Sequence, residues 1–269
     1  MSICKLHEQI NHLVENLVPS RIRTQDLWIA RPEPLDHGGS QRCLSSFFFF
    51  FIILPLFYTN QLGRYTIEKV DSFKYLGSVI TENNEGTLEI GERIKAGNKA
   101  YYSSQKLLKS RLLSRTTMKR IYRTVIRSMV LYGSEAWTMT LTDELRLNTW
   151  ERKILRRIYG PVCDQGEWRI RTNQEVYDLY EEPSLVAEIK SWRLRWLGHL
   201  ERMPENRGVK KAYQQKPEGR RLPGRPRMRW QDDVESDLRQ LNIRNWRRRA
   251  QDRNDWKTVV KEAKVLQGP

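Results

Sequence analysis

Residues 118–130, MKRIYRTVIRSMV, carry the most regular pattern of the chain. Their apolar side chains recur every three or four residues, which places them on one face of an α-helix. The apolar positions are Met118, Ile121, Tyr122, Val125, Ile126, Met129 and Val130. Since the positions between them are basic or polar, the segment predicts an amphipathic helix that packs its apolar face into a helical core.

Helical patterns continue on both sides of this segment. The upstream positions at helical spacing are Ile90, Ile94, Tyr101 and Leu108. Downstream, Thr142 is a candidate N-cap for a helix over residues 143–159, which Gly160 ends. Thr172 and Glu175 have the spacing of a capping box and predict the start of another helix.

Two further helical regions follow. A long helix is predicted between Pro183 and Pro204, because proline suits the first turn of a helix and interrupts its interior. Its expected apolar stripe consists of Leu185, Ile189, Trp192, Trp196, Leu200 and Met203. Residues 230–269 predict a small tryptophan-rich helical unit. Its apolar positions are Trp230, Val234, Leu238, Leu241, Trp246, Ala250, Trp256, Val259, Val260, Ala263 and Leu266.

A different pattern precedes the helices, over residues 61–82. Phe73 and Tyr75 lie at alternating positions, and Gly77 follows them, which is typical of a strand or hairpin. The expected fold class is therefore mainly α, with one short β-hairpin ahead of a helical bundle over residues 83–204.

Two segments lack a regular period. Residues 205–229 contain nine Lys/Arg and two Asp/Glu among prolines and glycines, so they predict an extended, mobile basic linker. Residues 1–60 predict irregular chain rather than a domain. Within them, residues 47–57 hold five consecutive phenylalanines and other apolar residues, which are typical of translated noncoding sequence and fall short of the roughly 20 residues of a membrane span.

The charge of the chain is uneven. The net charge is +16, yet residues 1–60 contain five Lys/Arg and five Asp/Glu, so the whole excess lies after Asn60. Such an excess favours anionic partners, such as nucleic acid or acidic lipid, although a merely solvated basic surface is the alternative. We expect an intracellular protein, in the nucleus or cytoplasm, without stable membrane insertion.

Cysteine usage offers neither a disulfide framework nor a metal site. Cys4, Cys43 and Cys163 are odd in number and far apart. A zinc site that combines Cys4 and Cys43 with His7 and His12 lacks the two close ligand pairs of structural zinc sites. Neither a metal nor a cofactor is expected.

Five strings occur in the order found in the C-terminal region of insect-type non-LTR retrotransposon reverse transcriptases. They are VDSFKYLGSVI from Val70, LYGSEAW from Leu131, RLRWLGHLERM from Arg193, GRPRMRW from Gly224 and AQDRNDWKTVVKEAK from Ala250. The chain resembles this family over about 200 residues, and the spacing is most similar to the RTE clade.

In this family the FKYLG string resembles the primer grip, a hairpin that presses on the primer backbone. The matching positions are Phe73, Tyr75, Leu76 and Gly77. The resemblance implies that the aromatic faces stack on nucleic acid and that the glycine lets the backbone approach sugar-phosphate closely. The alternative is an ordinary edge hairpin with Phe73 and Tyr75 in a core.

The helices after the hairpin resemble the thumb, which holds the template-primer duplex through its backbone. Candidate phosphate-binding residues on or beside the strong helix are Arg111, Arg115, Lys119, Arg120, Arg123 and Arg127. Of these, Arg120, Arg123 and Arg127 are expected to bind nucleic acid, with a solvated helix face as the alternative. The LYGSEAW string is expected in the core, and His199 is expected to be packed and hydrogen-bonded.

The basic segment supplies a second group of expected nucleic-acid contacts. These residues are Arg220, Arg221, Arg225, Arg227 and Arg229. The string PGRPR at residues 223–227 also resembles an AT-hook core, which favours an autonomous DNA-binding protein as an alternative. A second alternative is a helical module that binds protein partners or membrane surfaces through the tryptophan stripes and the basic segment.

The chemistry of a polymerase is missing from this sequence. A palm needs at least two metal-binding aspartates ahead of the primer grip. Asp232 and Asp233 imitate such a pair, but they follow the grip, and Trp230, Val234 and Leu238 give them a helical setting. The chain is therefore expected to be a degenerate, non-enzymatic fragment of a reverse transcriptase that binds the backbone of RNA or DNA weakly.

Overall fold

The computed structural model describes residues 28–30, 61–62, 65–81, 86–215 and 229–265. These residues belong to two units. The first unit holds a three-stranded antiparallel sheet in the order β1-β3-β2, formed by β1 (Trp28–Ala30), β2 (Gln61–Leu62) and β3 (Tyr65–Lys69). Of residues 1–60, the structure describes residues 28–30, which form β1. The phenylalanine run and the candidate zinc ligands lie outside the described residues.

The second unit is mainly helical, as expected. Hairpin β4 (Ser72–Tyr75) and β5 (Ser78–Thr81) comes first. The helices are α1 (Gly86–Ser103), α2 (Gln105–Leu108), α3 (Arg115–Ile121), α4 (Ser128–Leu131), α5 (Leu141–Tyr159), α6 (Asn173–Tyr180), α7 (Leu185–Glu201), α8 (Gly208–Gln214), α9 (Trp230–Gln240), α10 (Trp246–Gln251) and α11 (Arg253–Glu262). Short 3-10 turns lie at Ser134–Ala136 and Ala263–Val265.

A second hairpin was not expected. It consists of β6 (Val162–Asp164) and β7 (Glu167–Arg169). Its strands have no buried face, so their sequence lacks the alternation by which a half-buried strand is recognised. Gln165 and Gly166 in its turn have φ values of 49° and 92°. The glycine, which adopts a positive φ without strain, is the one feature of the sequence that predicts this turn.

The strong helix is continuous through α3 and α4 but contains a π-helical turn over Tyr122–Arg127. Positions four apart, namely Met118, Tyr122, Ile126 and Val130, are buried, whereas Val125 and Met129 are exposed. A π turn takes more residues than an α turn. Residues four apart therefore stay on one face through it, and two of the expected apolar positions rotate into solvent.

The helix ends follow capping chemistry. Helix α5 begins two residues before the expected position, because Thr140 rather than Thr142 is its N-cap and Asp143 completes the capping box. Gly160 ends that helix with a φ of 73°. The capping box of Thr172 and Glu175 at the start of α6 is confirmed.

Two hydrophobic cores meet along helix α7. The first core includes Ile90, Met118, Tyr122, Ile126, Val130, Trp137, Leu147, Trp150, Leu155, Tyr180, Leu185 and Ile189. The second core consists of Leu194, Leu197, Val234, Leu238, Ala250, Trp256, Val259, Val260 and Ala263. The tryptophan-rich helices α9 to α11 therefore share a core with α7 instead of forming a unit of their own.

The buried face of α7 differs from its expected stripe. Leu185, Ile189 and Leu200 are buried, whereas Trp192, Trp196 and Met203 are half-buried at the edge. The difference arises because Lys190 and Arg193 are buried as well. Apolar periodicity does not reveal a charged residue in a core.

Helix α8 lies inside the segment that was expected to be an extended linker. Lys210 Nζ donates to the carbonyl oxygens of Leu200 and Glu201, at 3.0 and 3.1 Å. The Tyr213 hydroxyl donates to the Glu201 carboxylate at 2.8 Å. The two Lys210 contacts satisfy carbonyl groups at the end of α7, which a helix leaves without partners of its own. Residues 216–228 lie outside the described residues.

Candidate nucleic-acid interface

The turn of hairpin β4–β5 is built from Leu76 and Gly77. Both have positive φ values, 48° and 86°, as the central residues of a type I′ turn require. Glycine adopts this conformation without a steric cost. The turn conformation therefore accounts for the glycine without the close approach of sugar-phosphate that the family resemblance implies.

Helix α1 holds this hairpin through a pair of buried charged residues. Arg93 donates from Nη2 to the carbonyl oxygen of Gly77 at 2.8 Å and to the Ser78 hydroxyl at 3.0 Å. Glu89 accepts the backbone N–H of Val79 at 2.6 Å and pairs with Arg93 at 2.7 Å. Since the two side chains lie one helical turn apart, a single turn of α1 fixes the hairpin turn and the start of strand β5.

A second contact joins two of the strings on which the family resemblance rests. The Tyr132 hydroxyl, from LYGSEAW, donates to the carbonyl oxygen of Leu76, from FKYLG, at 3.1 Å. The Arg93 guanidinium lies 4.7 Å from the centre of the Tyr132 ring. Trp137 of the same string is buried, but Tyr132 is not. The expectation that this string lies in the core holds for Trp137 and is wrong for Tyr132.

The aromatic residues of the hairpin face outward to different degrees. Phe73 is half-buried opposite Ile80, whereas Tyr75 is 41% exposed and Leu76 at the tip is 60% exposed. The alternative of an edge hairpin with both aromatic rings in a core is therefore wrong for Tyr75. An exposed ring beside a tip of accessible backbone can stack on an unpaired base.

The three arginines expected on the strong helix have three different environments. Arg120 on α3 is exposed. The Arg123 side chain is 55% exposed, and its guanidinium lies 3.1 Å from the carboxylate of Glu182. A surface pair of this kind is weak, so Arg123 can exchange Glu182 for a phosphate.

Arg127 requires a correction, because its side chain is only 4% exposed. Its guanidinium donates to the carbonyl oxygen of Pro183 at 2.7 Å and to the Tyr180 hydroxyl at 3.1 Å. Glu151 lies 3.6 Å away and is fully buried. The π-helical turn places Arg127 on the buried side of the helix, so it is unavailable for phosphate.

One tyrosine and two glutamates show how burial and ion pairing shift pKa values in the second unit. Burial, with the added charge of Glu151, raises the pKa of Tyr177 to about 12. Burial also raises the pKa of Glu135. On the surface, hydrogen bonds from Arg169 hold the pKa of Glu175 at about 2. With these pKa values, Tyr177 stays protonated and Glu175 stays ionised near neutral pH.

Asp233 was expected on a helical surface, but it is buried. Its carboxylate pairs with Arg193 and accepts the backbone N–H of Met139 at 3.0 Å. Asp237, one turn later, also pairs with Arg193 and lies 3.6 Å from Lys190 Nζ. Apolar periodicity does not predict this ionic network between α7 and α9. The sequence does contain a signal for it, because Asp233 and Asp237 are four residues apart and Lys190 and Arg193 are three apart, so each pair lies on one face of its helix.

His199 does not occupy the expected packed position. It is exposed on α7, and its ring lies 5.3 Å from the Trp196 ring at an angle of 40°. Cys163 is also exposed. Across the described ranges, no cluster of three or more His, Cys, Asp or Glu is placed to hold a metal ion.

The basic segment is described only at its flanks. Arg229 is exposed and immediately precedes α9. Gln231 Nε2 donates to the carbonyl oxygen of Tyr213 at 2.8 Å, so the residues that flank this segment lie side by side. The other expected contacts, Arg220, Arg221, Arg225 and Arg227, lie outside the described residues, as does the AT-hook-like string.

No helix in the described part of the chain combines the length and apolar character needed to cross a membrane.

Comparison with known proteins gives one informative similarity. A transposon-derived protein of Caenorhabditis elegans is 24% identical to this chain over 201 residues, covering 72% of each. No protein-family model matches the chain, and no solved structure matches it. The similarity supports an origin in a transposable element.

Proposed function

We propose that this chain corresponds to the primer-grip, thumb and tail portion of a non-LTR retrotransposon reverse transcriptase, and that it binds RNA or DNA weakly through the backbone. The observation that carries the proposal is the joint between FKYLG and LYGSEAW. Tyr132 and Arg93 hold the hairpin tip against the helical bundle, so the two strings form one structural element. The transposon-derived relative supports the same origin.

The chain is proposed to have no polymerase activity of its own. Two-metal phosphoryl transfer needs carboxylates that face bound ions, and the Asp233 carboxylate is occupied by Arg193. Purified protein is expected not to extend a primer on RNA or DNA template with Mg²⁺ or Mn²⁺. Template-dependent synthesis above a mock preparation, abolished by Asp232→Ala in a folded protein, would overturn this part of the proposal.

Binding is proposed to depend on phosphate contacts and therefore on salt. If about four to six phosphates are neutralised, the logarithm of affinity falls with the logarithm of salt at a slope of roughly −3 to −5. Replacing the five basic-segment arginines with glutamine is expected to flatten the slope by about two units. The substituted residues are Arg220, Arg221, Arg225, Arg227 and Arg229.

A matched control removes five exposed cations from other helices and loops. They are Lys99, Lys106, Lys109, Lys153 and Arg157, all exposed in the structure. This variant has the same net charge as the basic-segment variant but is expected to keep most of the wild-type slope. Equal slopes for the two variants would show that net charge alone drives binding, and absence of binding at low salt would reject the binding function.

A further inference from the structure

Helices α7 and α11 lie side by side in the second core and run in opposite directions. Trp256 Nε1 on α11 donates to the carbonyl oxygen of Leu194 on α7 at 2.8 Å. Toward the other end of the pair, the Ser191 hydroxyl donates to the carbonyl oxygen of Val260 at 3.0 Å. Gly198 permits the close approach, because a Cβ atom there would lie 2.1 Å from Trp256 Nε1.

Within the described residues, one side of α7 is only partly covered by other elements and is both basic and aromatic. Arg195 and His199 are exposed, and Trp192, Trp196 and Arg202 are half-buried. They recur at intervals of three and four residues, so they form one stripe along the helix. The tilted pair of Trp196 and His199 lies in the middle of this stripe.

Helix α11 separates its charges onto two edges. Arg253, Lys257 and Lys261 are exposed at intervals of four residues, within about 80° of one another around the helix. The acidic Asp255 lies on the opposite edge, where it pairs with Arg249 at 2.7 Å. Among the residues that the structure describes, these three cations have no ion-pair partner, so this edge of the helix carries a net positive charge.

Two contacts place this basic edge beside the exposed stripe of α7. Lys264, on the same edge, pairs with Glu188 of that stripe at 3.1 Å. At the other end of the pair, Arg202 donates to the carbonyl oxygen of Ala250. Burial and the nearby positive charge of Arg253 lower the pKa of Arg202, so two cations face each other there. We call this joint surface the α7–α11 basic face; it comprises Arg195, Trp196, His199, Arg202, Arg253, Lys257 and Lys261.

We propose that the α7–α11 basic face binds single-stranded nucleic acid, with the phosphates on its cations and bases against Trp196 and His199. Charge complementarity selects a polyanion. The rings select a single strand, because every unpaired base offers a face for stacking whereas the bases of a duplex are already stacked on each other. This inference rests on the proposed nucleic-acid binding and assigns it a surface outside the hairpin, the thumb-like arginines and the basic segment.

The test compares two variants of the full chain with the same net charge. The face variant carries Arg195→Gln, Arg253→Gln, Lys257→Gln and Lys261→Gln. The control carries Lys106→Gln, Lys109→Gln, Lys153→Gln and Arg157→Gln, and all eight side chains are exposed. Arg202 is kept in both, because its contact with Ala250 supports the fold. Circular dichroism checks that both variants retain the wild-type helix content.

Affinity is measured by fluorescence anisotropy over a range of salt concentrations. The probes are a uridine 12-mer, a thymidine 12-mer and a duplex DNA of the same length. The face variant is expected to bind the single strands at least about tenfold more weakly at 0.1 M salt, with a slope flatter by about two to three units. The control is expected to remain within about threefold of wild type. His199→Ala is expected to weaken single-strand binding several-fold without changing the slope.

Each outcome discriminates between the two proposals. If wild type binds and the face variant matches the control, this inference is overturned while the proposed function stands. If wild type binds no nucleic acid at low salt, both are overturned. Tighter binding of duplex than of single strands would reject the single-strand assignment. Preferential, salt-sensitive binding to vesicles containing phosphatidylserine would instead assign the face to an acidic membrane surface.

Discussion

The two cores of the second unit share a glycine–tryptophan contact between helices but differ in the partners of their buried charges. Each packs a tryptophan ring against a helical glycine: Gly97 faces Trp150 in the first core, and Gly198 faces Trp256 in the second. Each also contains a buried arginine. Arg127 lies in the first core, and Arg193 lies where α7 meets α9 beside the second.

The partners of these arginines differ. The Glu151 carboxylate, which pairs with Arg127, also accepts the Leu185 N–H at 2.7 Å and the Tyr122 hydroxyl at 2.8 Å. Around Arg193, by contrast, the network is ionic and includes Asp233, Asp237, Lys190 and Glu144. Two neutral donors support the single carboxylate of the first site, whereas one neutral donor among the described residues, the Met139 N–H, reaches the Asp233 and Asp237 pair. The attachment of the C-terminal helices therefore depends more strongly on the Arg193 cation.

The largest effect is expected from Arg193→Met. This change leaves Asp233 and Asp237 buried with only part of their compensating charge, so the free energy of unfolding should fall by about 3–5 kcal/mol. Chemical denaturation measures it. Arg195→Met, two residues away and exposed, is the control and should change stability by less than about 0.5 kcal/mol. Equal effects of the two changes would contradict the ionic attachment.

Arg127→Met should destabilise the protein less, by about 2–3 kcal/mol, because Glu151 keeps its neutral donors. Denaturation of this variant beside Arg120→Met, which removes an exposed arginine from the same helix, tests whether Arg127 is buried. If Arg127→Met leaves stability unchanged but weakens RNA binding, then Arg127 is accessible and contacts nucleic acid.

The glycines provide a smaller and more symmetrical comparison. Gly97→Ala and Gly198→Ala should each cost about 1–3 kcal/mol by overpacking a tryptophan ring. The cost at Gly198 should be greater, because an added Cβ would lie 2.1 Å from its nearest neighbour there and 2.5 Å from its nearest neighbour at Gly97. Thermal unfolding of both variants ranks them. A larger loss of stability for Gly97→Ala would show that the first core accommodates an added methyl group less readily than the second.

The smallest effect is expected at Glu135, whose carbonyl oxygen accepts the Trp230 Nε1–H at 2.8 Å. Burial raises the pKa of its carboxyl group in the folded protein. Folding therefore favours the protonated form, and this contribution is lost as pH rises from about 4.3 through the raised value. Glu135→Gln should gain stability relative to wild type over that range, by less than about 1 kcal/mol after solvent screening. If Glu135→Gln instead gained stability relative to wild type as the pH fell, the pKa of Glu135 would be lowered by folding rather than raised.

Much of the fold could be predicted because the helices have regular apolar spacing and recognisable caps, as at Thr172 and Glu175. The errors have physical causes. The π-helical turn moved Arg127 inward, and the paired charges of Lys190 and Arg193 rotated the buried face of α7 away from Trp192 and Trp196. Neither effect alters composition or local propensity, so neither is visible in apolar periodicity.

The candidate interface was only partly predictable. The exposed Tyr75 and the glycine turn follow from the FKYLG string, but its link to Tyr132 joins residues more than 50 positions apart. Similarly, the α7–α11 basic face arises because two helices distant in sequence pack together, and each contributes only part of the positive charge.

Photocrosslinking of a 4-thiouridine-containing RNA to the full chain, with the linked peptides identified by mass spectrometry, tests the central claim most directly. The account predicts crosslinks within residues 192–202 and 253–261 and in the basic segment at residues 220–229, all lost at high salt. Crosslinks confined to other helices, or crosslinks that persist at high salt, would contradict binding through the exposed cations and the nucleic-acid backbone.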